Sequence, residues 1–279
     1  MREVNYISVI KRNREIRIGL GHEVYTGDMV NHFDYYHSAI VPQAVNNRLV
    51  VDYSRPGVHK LRRSGVEFEF PSLPEPDEST DVYMETLALK PGEVVFDLGA
   101  YAGASSYFLA KAVGPEGLVA AFEPDEINYL SCSANIDRHA LKNVRLFKKG
   151  VWSETTTLAF QAEGNMGSAA SSIIGRASNL KMVEVVSLED VLTLIGKSKV
   201  AAIKMDIEGA ELAVLRGAEN FLRQQRPRLV IEPHWMDGKL NTAQVCELLR
   251  SYGYSVKIVS EQGSQNWPLV VAHYPSTGA

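Results

Sequence analysis

From about residue 79 onward, short apolar runs alternate with longer stretches whose apolar residues recur at helical spacing. This alternation restricts the chain more than any other feature. It predicts a helix at about 79–89, the strand EVVFDL, a helix at about 103–113, the strand GLVAAFEP, a helix at about 125–140 and the strand VRLFKKG. A hairpin-like region around TLAF and MVEVVSL follows. Then come the helix SLEDVLTLIG, the strand VAAIKMD, the helix GAELAVLRGAENFLRQQ, the strand RLVIEPHW, a helix at about 240–252, and the strands YSVKIVS and WPLVVAHY. Short runs that are apolar throughout suit strands buried on both faces, and an intervening helix is the usual connection between parallel strands. The fold class is therefore α/β, a doubly wound and mostly parallel sheet covered by helices. The final two strands have no helix between them, so an antiparallel pair is expected at one sheet edge.

Ahead of this alternation the chain is organised differently. YISVI, EIRIGL, RLVVDY and VEFEF are β-like, while the aromatic segment GDMVNHFDYYHSAI is ambiguous. The proline-rich FPSLPEPDEST, residues 70–80, reads as a linker. Two parts result: a β-rich N-terminal extension, 1–78, and a larger α/β domain, 79–279. The former is assigned to ligand capture or to pairing of chains. His32, Tyr35, Tyr36 and His37 are read as a small satellite core in preference to a pocket lining. His59, Lys60, Arg62 and Arg63 form a basic cluster read as a solvated face. The loop 161–180 is long and rich in small residues, which suits a lid or a disordered segment.

Charge and cysteine content narrow the functions. Acidic residues outnumber basic ones, 33 to 29, for a net charge of −4. No general attraction to nucleic acid or acidic membranes is expected. Cys132 and Cys246 are the two cysteines, far apart and each in a helical pattern. That usage fits a reducing compartment and a cytoplasmic location. The opening residues lack a signal-peptide core, and no apolar run reaches the length of a membrane span.

The strongest local signal is VVFDLGAYAGASSYFLAKAVG. A buried strand ends in Asp97, and Gly99 and Gly103 permit a tight turn into a helix whose first amides are free to bind a ligand. The next strand ends in Glu123, where a carboxylate can accept both hydroxyls of a ribose. The spacing D-x-G-x-x-x-G departs from the dinucleotide fingerprint G-x-G-x-x-G. It suits a ligand carrying a sulfonium and an amino acid better than one carrying a pyrophosphate. A nucleotide-dependent oxidoreductase and a non-catalytic module that keeps the donor are the alternatives.

Residues 94–235 resemble the FkbM family of S-adenosylmethionine-dependent methyltransferases. The resemblance is carried, in order, by FDLGAYAG, AFEP, ANIDRHALKNV, VSLEDVL, IKMDIEGAELAVLRGA and RPRLVIEPH, with Tyr101 where the family more often has Asn. It implies a Rossmann-like methyltransferase sheet and S-adenosylmethionine as cofactor. The cofactor would be bound by Asp97, Gly99, Ala100, Tyr101, Gly103, Glu123, Pro124 and Asp206. It further implies methyl transfer, usually to a hydroxyl of a small molecule or sugar-bearing natural product. Residues 1–78 lie outside the resemblance, and acceptor binding or homo-oligomerisation is the expectation for them.

The apolar run AAIKMD ends in acid, and so does RLVIE, which is followed by Pro233, His234 and Trp235. Ligands of open α/β sheets bind beyond the carboxyl ends of the strands, so Asp97, Glu123, Asp206 and Glu232 would share one rim. An alcohol is a weak nucleophile and gains from a general base or a divalent cation. In one arrangement His234 is the base, oriented by Asp206 or Glu232. In the other, Asp206, Glu232 and His234 ligate a cation. The base arrangement is preferred because no compact motif such as H-x-x-x-H is present. Lys204 is expected to pair with Asp206, Glu208 or Glu232, and Asp206 could also cap the helix that follows. Glu211 is read as a helix-opening acid and nothing more. DIEGAE lacks the Asn/Asp-Pro-Pro-aromatic clamp of enzymes that flip a base, so nucleic acid is not expected as a partner.

Overall fold

The apolar runs pair as their pattern requires. The computed structural model describes residues 6–74, 76–162, 169–170, 180–236, 238–260 and 268–275. The strands are β1 (Tyr6–Lys11), β2 (Arg14–Gly19), β3 (Gln43–Val45), β4 (Arg48–Tyr53), β5 (Gly57–Lys60), β6 (Glu67–Phe70), β7 (Val94–Leu98), β8 (Leu118–Phe122), β9 (Val144–Phe147) and β10 (Gly150–Val151). They continue as β11 (Thr156–Gln161), β12 (Ala169–Ala170), β13 (Leu180–Val186), β14 (Ala202–Met205), β15 (Arg228–Ile231), β16 (Trp235–Met236), β17 (Lys239–Leu240), β18 (Ser255–Ser260) and β19 (Pro268–His273). The α-helices are α1 (Thr26–Asn31), α2 (Phe33–Ser38), α3 (Asp77–Leu87), α4 (Ala104–Val113), α5 (Glu126–Arg138), α6 (Leu188–Ile195), α7 (Glu211–Gly217), α8 (Glu219–Gln225) and α9 (Thr242–Ser251).

Seven strands form the central sheet in the order β18-β19-β15-β14-β7-β8-β9. The run from β15 to β9 is parallel, and β19 and β18 complete one end antiparallel. Alternate residues serve opposite faces. Phe96, Ile203 and Ile231 join the core containing Val191, Leu215 and Leu249, whereas Val95, Ala202 and Val230 join Tyr83, Leu87, Leu109 and Val113. Chain order reverses between β7 and β14, which creates the crevice where such sheets bind ligands. The expected hairpin forms as β11 against β13, within a separate sheet ordered β10-β13-β11-β12. The proposed lid falls largely outside the described residues.

One helix differs from expectation. GAELAVLRGAENFLRQQ forms two helices, α7 and α8, meeting at Ala218, whose φ of −104° and ψ of 18° interrupt the spiral. The backbone of Ser153 passes so close to Gly217 that a Cβ there would lie 2.3 Å from its carbonyl oxygen. That packing, invisible in local periodicity, is where the two helices join.

The N-terminal part contains the sheet β1-β2-β4-β3, the hairpin β5-β6, and α1 and α2, which resolve the ambiguous aromatic segment as helical. Tyr36 and His37 are buried there, and the His37 ring contacts the Leu49 carbonyl at 2.9 Å, as a satellite core requires. That core does not end at the linker. Ile16, Tyr53, Phe68 and Phe70 share it with Tyr101, Ala102 and Ala104 of the glycine turn and α4. Ser72 and Leu73 of the proline-rich stretch are buried too, so this stretch is a packed strap and not a loose tether. No described helix is long and apolar enough to cross a membrane.

Asn135 on α5 clips the two parts together. Its amide donates to the carbonyls of Glu69 and Ala102 at 2.8 and 2.9 Å and accepts from the Glu69 amide at 2.8 Å. Asn135→Ala leaves those buried groups without a partner and should lower stability by about 2–3 kcal/mol, measured by urea unfolding.

Candidate functional site

The glycine turn is built from below. The Asp97 carboxylate is fully buried, and its Oδ2 accepts from Ser105 and Ser106 in the first turn of α4 at 2.8 and 2.5 Å. Asp97 thus fixes the start of the helix from beneath the turn. Gly99 has φ of +81°, and a Cβ there would lie 1.7 Å from the Asp206 carbonyl oxygen. Only glycine fits a turn passing so close to the next strand's end. Ala100 is buried, and Tyr101 is left-handed at φ of +47°. The Tyr101 hydroxyl donates to the Leu73 carbonyl at 2.7 Å, tying the turn to the N-terminal part. Gly103 opens α4 with no side-chain cap, leaving the first amides of the helix to other acceptors.

Glu123 follows β8 and reaches back under the same turn. Its oxygens accept from the backbone amides of Tyr101 and Asp125, both at 2.9 Å. Burial pushes this carboxyl up to about 8 despite those bonds. Pro124 leads on to Asp125, whose side chain caps α5.

The neighbouring strands supply the second half of the site. Lys204 lies opposite Asp97 in the sheet, with its side chain only 1% exposed. Its ammonium donates to the Gly99 carbonyl at 2.6 Å and stands 3.5 Å from Asp97 and 3.6 Å from Asp206. The expected pairing with Asp206 is therefore present, together with one to Asp97 that register alone creates. Tyr83 on α3 lays its ring near this ammonium and donates its hydroxyl to Glu232 at 3.1 Å. Asp206 does not cap α7, whose N-terminus has no side-chain cap.

His234 stands between the acids. Its Nδ1 is 2.9 Å from Glu211 Oε1, and its Nε2 is 3.6 Å from both Asp206 Oδ1 and Glu208 Oε2. One ligand atom from each of Asp206, Glu232 and His234 lies within 4.8 Å of the others. Trp235 beside it is 61% exposed. Burial alone would lower the imidazole, but Glu208, Glu211 and Asp206 raise it well above its ordinary value. The protonated ring has no lone pair for a proton, so His234 serves as a base only once the charge around it is offset. Burial, with Asp206 and Glu211 nearby, pushes Glu208 up to about 7 against the pull of His234. Glu211 is held below its ordinary value, as its bonds to His234, Asn241 and the Gly209 amide outweigh burial.

Glu211 is the residue that periodicity undervalued. It does open α7, but it is fully buried, bonded to His234 on one oxygen and to the Asn241 amide on the other at 3.0 Å. An acid in the first turn of an amphipathic helix carries no local mark that distinguishes such a role. The one sequence hint is Gly209, two residues before Glu211; in the structure Glu208 and Gly209 are both left-handed, at φ of +51° and +97°, in the turn that leads into α7.

A doubly wound sheet with a glycine turn after one strand and a buried acid after the next defines a Rossmann-like domain. Residues 97–256, more than half of the chain, match the methyltransferase FkbM domain, and the chain belongs to that family. It is 30% identical over 204 residues to 31-O-demethyl-FK506 methyltransferase FkbM of Streptomyces tacrolimicus, covering 62% of this chain and 76% of that protein. It is 25% identical over 184 residues to Methyltransferase 1 of Beauveria bassiana (strain ARSEF 2860), covering 59% and 73%. Among solved structures, the methyltransferase FkbM from Methylobacillus flagellatus KT is 15% identical with a TM-score of 0.48; the alignment covers 89% of this chain and 60% of that one.

The buried Glu123 carries a pH signature. Between the ordinary carboxyl value of 4.5 and about 8, the folded chain keeps a proton on Glu123 that the unfolded chain has lost. Its contribution to stability is full below that window and declines as pH rises through it. The stability advantage of the native chain over Glu123→Ala should therefore shrink between about pH 5 and about pH 9 in denaturant titrations; a constant difference would contradict the assignment.

Proposed function

We propose that this chain is an S-adenosylmethionine-dependent O-methyltransferase acting on a hydroxyl of a small molecule or a sugar-bearing natural product. The observation that carries the reading is the direct contact between the glycine turn and the rim. Gly99 touches the Asp206 backbone and accepts from Lys204, so a donor on the turn would face Asp206, Glu232 and His234. The name of the Streptomyces relative, which specifies methyl transfer at a demethylated oxygen, supports the same reaction class.

The chain's groups suit the donor. The uncapped amides at the start of α4 fit a carboxylate, and Glu123 beside them fits a ribose diol. Asp97 contributes from below by holding α4, while Ala100, Tyr101 and Pro124 shape the turn. When bound, S-adenosylmethionine supplies a methyl group on a positively charged sulfur. A hydroxyl acceptor must give up its proton as the new C–O bond forms, and the rim of carboxylates and imidazole is where that proton is managed. A closely held acceptor aligned with the methyl group lowers the barrier by proximity alone. The N-terminal part, bonded to the turn through Leu73 and Asn135, is suited to roof the site and contact the acceptor, or to pair two chains. The two buried, unpaired cysteines fit the cytoplasm.

Isothermal titration with S-adenosylmethionine tests the donor assignment. Binding should be saturable and at least about tenfold weaker in Glu123→Ala, as expected when a ligand loses a pair of hydrogen bonds. No binding to the native chain, or tighter binding of NAD, would sink the proposal. With hydroxylated small molecules as acceptors, His234→Ala should lower turnover by about a hundredfold or more while leaving donor affinity nearly unchanged. Equal turnover in the two proteins would remove His234 from the chemistry.

A further inference from the structure

We infer that Asp206, Glu232 and His234 form a binding site for one divalent cation of the magnesium or manganese class, with Glu211 as the residue that positions the histidine. The cation's use, to bind and acidify the acceptor oxygen, rests on the proposed methyl transfer; its binding does not.

The distances carry the argument. Atoms bound to one such ion at about 2.0–2.1 Å lie roughly 3–4 Å from one another. One atom each from Asp206, Glu232 and His234 lies within 4.8 Å of the others, so a small inward shift of the side chains would complete the site. The Nε2 of His234 is 3.6 Å from Asp206 Oδ1, beyond a good hydrogen bond but right for two neighbours on one ion. The same nitrogen is 3.6 Å from Glu208 Oε2, so it is not committed to either carboxylate. The one close carboxylate contact of this ring is on its other nitrogen, to Glu211, which leaves Nε2 facing both acids.

Each ligand is also held from behind. Glu211 takes the other ring nitrogen at 2.9 Å, the carboxylate–histidine arrangement that fixes the tautomer and directs the free nitrogen at a metal. Asn241 locks the second oxygen of Glu211 at 3.0 Å, and both residues are fully buried. Tyr83 holds Glu232, and Lys204 faces Asp206 Oδ2, leaving Oδ1 toward the histidine. Three protein ligands leave positions for water or an acceptor hydroxyl. An oxygen bound there becomes a better nucleophile because the ion stabilises its deprotonated form. The hydroxyl proton then passes to a neighbouring carboxylate or to water, the oxygen takes the methyl group, and the sulfur keeps the bonding pair.

Manganese alone, titrated into the full chain without donor or acceptor, tests the site by electron paramagnetic resonance. One tight ion per chain is expected, with spin-echo modulation from a single histidine nitrogen. Asp206→Asn, Glu232→Gln and His234→Ala should each weaken binding by tenfold or more. Glu211→Gln should weaken it about ten- to a hundredfold and loosen the nitrogen coupling, with Asp28→Asn as an unaffected control. A urea-unfolding midpoint close to the native one shows that a variant is folded; if none is, the native chain's nitrogen coupling decides. No tight ion, no histidine coupling, or binding unmoved in folded variants would overturn the inference, even if the donor binds normally. Manganese binding without donor binding would uphold the site and defeat the proposed reaction instead.

Discussion

A single buried ammonium holds this structure's working parts in register. Lys204 sits in the middle of the central sheet, where an unpaired charge would be prohibitive. Its partners are the Asp97 and Asp206 carboxylates and the Gly99 carbonyl. Each belongs to a different functional segment: the strand before the glycine turn, the turn itself, and the first acid of the rim. Satisfying one cation therefore sets the spacing between the turn and the rim. The compensation needed to bury the lysine is also what aligns the site.

The N-terminal part extends that constraint. Its aromatic core continues into Tyr101, Ala102 and Ala104, so the turn is packed from above while Asp97 and Lys204 hold it from below. Tyr101 adopts a left-handed conformation that costs an ordinary side chain about a kilocalorie per mole or more. Its hydroxyl bond to Leu73 and its ring near Phe70 offset that cost. Tyr101 thus fastens the turn to the chain's own N-terminal strap.

The rim combines acids of differing roles. Glu211 is buried and fully bonded, Asp206 faces two cations, and Glu208 sits on a strained turn at the margin. Proximity of these carboxylates is what raises His234, so charge at the rim and the state of the imidazole are inseparable. Any account of acceptor activation has to treat the cluster as one electrostatic unit.

Much of this was legible along the chain. The strands and helices of the sheet, Asp97 with Gly99 and Gly103, Glu123, and the acids at Asp206 and Glu232 are all local patterns, whereas the reversal that makes the crevice was shown by the strand order alone. They are legible because burial period, glycine turns and strand-end acids are properties of neighbouring residues. The Lys204–Asp97 pair, the Glu211–His234 bond, the break at Ala218 and the merging of the N-terminal core with the glycine turn were decided by tertiary structure. Each depends on which distant segment packs alongside: β7 against β14, the residues after β15 against α7, Ser153 against Gly217, and Leu73 against Tyr101. Local sequence dictates what a segment can form; the identity of its neighbour in space decides which charges are paired, which are buried, and which are left to do chemistry.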